Sequence, residues 1–85
     1  MELNPQNHVY VYNLGFLYYQ LDKYKEARQI LEMALKLAPK DPDINFLLGK
    51  TCVQLKDKVA ATERYQALQK LDAKQGAELE KLINR

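Results

Sequence analysis

The chain has 85 residues, enough for one domain that buries a modest share of its surface, so stability must come from regular, well-packed elements. Its formal charge is only +2, and its bases alternate with acids, as in "DKYKEAR" and "ELEKLINR"; that is a solvated helical surface and not a polyanion-binding stripe. Three glycines, three prolines and 28% charged residues favour an all-α chain over sheet or disorder.

In chain order, "LNPQN" (Leu3 to Asn7) parallels "LAPKD" (Leu37 to Asp41), so the chain is expected to open on the tail of a preceding unit. The N-terminus has none of the basic run, apolar core and small-residue cleavage site of a signal peptide. Next comes "HVYVYNLGFLYYQL" (His8 to Leu21), with four tyrosines, one phenylalanine and no formal charge. Its "VYVY" alternates like a strand, but it runs without a turn signal into Val11, Leu14, Gly15 and Tyr18, the three-and-four spacing of a helix. After "LDK" around Asp22, the residues Ala27, Ile30, Leu31, Ala34 and Leu35 keep that spacing in a second helix. Asp41 followed by Pro42 is an N-cap with proline at the first helical position, and Asn7 and Asp57 can cap two other helices. The links "LDK", "APKDP" and "LKDK" are short enough to pack consecutive helices antiparallel. After Leu71 comes a last helix, "KQGAELEKLINR", apolar at Leu79, Leu82 and Ile83 and charged at Glu78, Glu80 and Lys81.

The chain also repeats itself, at the interval that separates Gly15 from Gly49. Sliding it by that interval sets Asn13–Leu21 on Leu47–Leu55, with Leu14 on Leu48, Gly15 on Gly49, Gln20 on Gln54, Leu21 on Leu55 and Ala27 on Ala61. Glycine within a helix costs about 1 kcal/mol relative to alanine. Its recurrence at the same phase points to a close approach of the two helices of each hairpin.

These residues resemble the tetratricopeptide repeat family, whose unit is a helix-turn-helix of the same length that stacks into a superhelix. The first repeat carries Leu14-Gly15, Tyr18, Ala27, Leu31, Ala34 and Pro39, with Val11 where the family has an early tryptophan. The second keeps Leu48-Gly49, Ala61 and Tyr65 but has Asn45, Cys52, Leu68 and Ala73 where Trp, Tyr, Ala and Pro are usual. The resemblance implies a single α-solenoid domain: residues 1–7 as the tail of a preceding unit, 8–41 and 42–75 as two repeats, and 76–85 as a solvating C-terminal helix. Leu14, Gly15, Tyr18, Ala27, Pro39, Leu48, Gly49, Ala61 and Tyr65 are its structural positions.

In that family the first helix of each unit lines a concave groove that binds proteins or peptides. Here the groove residues are Tyr12, Asn13, Phe16, Tyr19, Phe46, Lys50 and Gln54, flanked by Val9, Gln20, Asp43, Leu47 and Val53. Three roles stand open for Tyr12, Phe16 and Tyr19: core packing, contact with a partner, or self-association of the apolar first helix into a homo-oligomer. Covering about 100 Å² on each of four groove aromatics gives a gross gain of about 10 kcal/mol. Association costs about 4–15 kcal/mol, so micromolar peptide affinity is the expected ceiling. The family's carboxylate clamp is not carried over, because Tyr12, Phe16 and Leu47 stand where its Lys and Asn residues belong and Ala77 fills one of the two basic positions beside Lys81. An apolar or amphipathic segment suits this groove better.

Other classes find little support. One His, one Cys and no glycine-rich phosphate loop give no catalytic set, no metal site and no cofactor site, and His8 reads as a surface residue. Cys52 reads as a small buried apolar residue. A base-reading helical repeat has a related architecture, but the aromatic and aliphatic face here does not suit nucleic acid. No apolar run nears the roughly 20 residues that span a bilayer. The chain reads as soluble; nothing in it names a compartment, although the cytoplasm is favoured.

Overall fold

The three-and-four spacing becomes five α-helices in a computed structural model that describes residues 7–85. They are α1 (His8–Gln20), α2 (Tyr24–Leu37), α3 (Pro42–Gln54), α4 (Lys58–Leu71) and α5 (Ala73–Ile83), with no strand among the described residues. The "VYVY" stretch is helical throughout. The expectation that the chain opens on the tail of a preceding unit falls mostly on residues 1–6 and lies outside the described residues.

Each boundary has a local cause. Asn7 Oδ1 accepts from Val9 N at 2.9 Å, and Asp41 Oδ1 accepts from Asp43 N and Ile44 N, with Pro42 at the first helical position. Asp57 Oδ1 accepts from Ala60 N at 3.1 Å. A cap that the sequence reading did not single out is Asp72, whose carboxylate accepts from Lys74 N and Gln75 N. Because Asp72 ends α4 and starts α5 at once, the last helix begins at Ala73 and not at the expected residue 76. Only α2 begins without a side-chain cap, behind Lys23.

The two hairpin turns are built alike, one repeat apart. Asp22 (φ 61°) and Lys56 (φ 62°) sit in the left-handed region just past α1 and α3. Around Asp22, Lys23 N donates to Tyr18 O and Asp22 N donates to Tyr19 O; around Lys56, Asp57 N donates to Cys52 O and Lys56 N donates to Val53 O. Both are Schellman turns made without glycine.

Packing sorts the helices into two layers. Helices α1, α3 and α5 lie side by side in succession, whereas the backbones of α2 and α4 stay farther apart, so the stack curves with α1, α3 and α5 on its inner side. Ala27, Leu31, Leu47, Leu48, Cys52 and Ala61 form the main core, and Val11, Ala34 and Ile44 form a second one beneath the first repeat. Of the structural positions read from the sequence, Gly15, Ala27, Leu48, Gly49 and Ala61 are buried. Leu14 and Tyr18 are half-buried, and Pro39 is exposed.

The glycines differ in what they face. A Cβ on Gly15 would lie 2.7 Å from the Leu31 side chain of its hairpin partner α2. A Cβ on Gly49 would collide instead with Leu79 of α5 and crowd Arg64 Cβ at 3.2 Å. Tyr65, the counterpart of Leu31 in the second repeat, turns outward and donates its hydroxyl to Glu80 Oε2 at 3.0 Å. Leu79 therefore fills over Gly49 the place that Leu31 fills over Gly15.

Asn45, at the family's tryptophan position, is fully buried and fully used. Its Nδ2 donates to Pro39 O (3.0 Å) and Asp41 O (2.9 Å), and its Oδ1 accepts from Arg64 Nη1 at 2.7 Å. This polar bridge fastens the turn between the repeats to α4, which a tryptophan could not do by hydrogen bonding.

Two outcomes are expected for stability. Gly15→Leu and Gly49→Leu each lower unfolding free energy by about 1–3 kcal/mol through overpacking, measured by urea titration with unchanged slope. Lys56→Gly raises it by about 0.5–1 kcal/mol, because glycine enters the left-handed region without the Cβ clash.

Candidate functional site

The inner face is organised by helical phase. At 100° per residue, Val9, Tyr12, Phe16 and Tyr19 share one side of α1, while Asp43, Phe46, Lys50 and Val53 share one side of α3. Stacking α1 beside α3 brings the two sides together, and Lys50 marks the meeting point. Its Nζ lies 4.7 Å from the centre of the Phe46 ring and 5.5 Å from that of Tyr19, so one ammonium bridges aromatics of both repeats.

The expected groove residues do not share one environment. Phe16 is 39% exposed, whereas Tyr12, Tyr19, Phe46 and Lys50 are half-buried. Tyr12 and Tyr19 also pack against the main core, so they support the fold and face the groove at once. Tyr12 leans towards Phe16 with ring centres 6.3 Å apart, and Tyr19 meets Tyr24 edge-on at 5.4 Å. Asn13 and Gln54 are exposed. Leu47, read as a flanking groove residue, is 2% exposed and belongs to the core.

Charge divides the groove along its length. At the N-terminal end of α3, Asp43 Oδ1 accepts from Gln75 Nε2 of α5 at 3.2 Å, and His8 Nε2 lies 3.8 Å from Asp41 Oδ2. Burial, then the charges of Asp43 and Asp41, raise the Tyr12 phenol above its ordinary pKa. Burial likewise raises Tyr19, opposed by a hydrogen bond with Gln54 and assisted by Asp22. On the outer side, hydrogen bonds to Asp22 and Glu80 raise Tyr24 and Tyr65 respectively.

Nothing in this arrangement forms a catalytic set. Cys52 is buried, and desolvation pushes its thiol up, away from the thiolate a nucleophile needs. Among the described residues, no group of three or more His, Cys, Asp or Glu side chains could hold a metal ion, and no helix is long and apolar enough to cross a membrane.

Helix pairs repeated in register and stacked in two layers define an α-solenoid. The pattern of the tetratricopeptide repeat family matches residues 1–43 and again 24–85, and the chain belongs to that family. Comparison with curated proteins and with solved structures gives no match. Tetratricopeptide repeats are generally non-catalytic modules for protein–protein interaction.

The raised phenols predict the alkaline behaviour. Their neutral forms are favoured by folding, so this contribution to stability is fully present below the ordinary tyrosine value near 10 and is lost as pH rises through the folded-state values. Absorbance at 295 nm is expected to show tyrosines ionising late, together with the loss of helical circular dichroism. Tyr12→Phe is expected to shift that loss to higher pH.

Proposed function

We propose that this chain binds a peptide or helical segment of a partner protein along the inner face of α1 and α3. The observation that carries the reading is the aromatic meeting point at Lys50, where rings from both repeats converge beside the exposed Phe16. Phe16, Tyr19 and Phe46 supply apolar contact, and the amides of Asn13 and Gln54 stand beside them as hydrogen-bond partners for a ligand backbone. Large aromatics held in place by a core lose little freedom on binding, which suits them as anchors.

A second reading is favoured by a different face of α1. Leu17 is 50% exposed and Leu21 57% exposed, on a stripe with Tyr10 and Leu14 that lies about 150° around the helix from the aromatic side. That stripe suits contact between copies of the chain, which would leave the groove open.

Peptides selected on the parent protein from a random display library test the first reading. Phe16→Ala and Lys50→Ala are each expected to weaken the selected peptides at least tenfold with circular dichroism unchanged; undiminished binding by both would remove the groove from consideration. For the second, light scattering at low and high concentration is expected to show a dimer that Leu17→Glu with Leu21→Glu converts to monomer.

A further inference from the structure

The inner face leads past Val53 into a small cavity. Where the C-terminal ends of α3 and α5 meet the start of α4, Val53, Lys56, Lys58, Ala61 and Ile83 line an open pocket of about 200 Å³. Its floor is aliphatic, and its rim carries two exposed lysines.

The charge at this end is uncompensated. Asp57 lies between the two lysines in sequence, but its Oδ1 accepts from Ala60 N and its Oδ2 lies 3.0 Å from Arg28 Nη1, which neutralises it on the α2 side. Among the described residues, Lys50, Lys56 and Lys58 take part in no ion pair. The opposite end of the same face holds Asp41 and Asp43. From Asp43 to Val53 is about 15 Å along α3, the span of about five extended residues.

We infer that the groove takes a peptide segment whose apolar side chain seats in the cavity of Val53, Ala61 and Ile83 while an adjoining carboxylate meets Lys50, Lys56 and Lys58. The orientation follows from the charge division: the acidic end of the ligand lies at the C-terminal end of α3, away from Asp43. Polyanions such as nucleic acid share the charge but lack the aliphatic anchor that the cavity accepts. This assignment rests on the inner face being the binding face, and it adds the chemistry of what binds there.

Terminally blocked hexapeptides with leucine or phenylalanine at the two central positions, flanked by glutamate, glutamine or lysine, separate the two claims. The glutamate series is expected to bind about tenfold more tightly than the other two, with a preference that fades as salt rises. Lys56→Gln with Lys58→Gln is expected to erase the preference for the glutamate series over the glutamine series, with circular dichroism as the check on folding. Equal affinity of all three series, each weakened by Phe16→Ala, would overturn the acidic-ligand assignment and keep the groove. Absence of binding by every series would overturn both. A single-stranded oligonucleotide that binds as tightly as the glutamate series, with the same dependence on Lys56 and Lys58, would replace the peptide with a polyanion.

Discussion

The structure depends on how closely helices approach at two points where a side chain is missing. At Gly15 the Leu31 side chain lies against the backbone of α1, and at Gly49 the Leu79 side chain does the same to α3. A packed interior transmits such a contact as a fixed distance between helix axes, because neighbouring side chains have no free volume in which to yield. That spacing fixes α2 against α1 and α5 against α3, and α1 and α3 are the two helices whose aromatic sides meet at Lys50.

Much of this was legible in the chain itself. The repeat period, the caps at Asn7, Asp41 and Asp57, and the burial of Ala27, Ala61 and Cys52 all stand in the structure as the spacing and residue types implied. What was not legible lies where the second repeat departs from the first. A shift by one period places Tyr65 in the role of Leu31, yet a tyrosine hydroxyl prefers a partner, and Glu80 offers one at the surface. Likewise Asn45 reads as a drifted tryptophan until Arg64 and the carbonyls of Pro39 and Asp41 are seen around it. Both depend on partners that periodicity does not name. Asp72 was within reach, since an aspartate just before a helical run is an N-cap signal.

The groove was partly legible for a related reason. Helical phase separates the sides of α1, and it correctly set Phe16 apart from Val11 and Gly15. It could not decide between packing and exposure for Tyr12 and Tyr19, because long side chains at the edge of an apolar stripe reach both ways. Nor does phase tell which lysines find counter-ions. Arg28 takes Asp57 across the repeat boundary and thereby leaves Lys56 and Lys58 unneutralised, an effect of three-dimensional placement on local potential.

The position of Leu79 also changes what the last helix is. A terminal helix that merely shields a finished stack could fray without disturbing what lies beneath it. Here α5 supplies a fully buried side chain to the interior of the second hairpin, and Tyr65 is held outward by a bond to the same helix. Opening α5 would leave a void over Gly49 and release Tyr65 together, so the end of the chain is coupled to its middle. Helix α5 and the second hairpin thus form one cooperative unit.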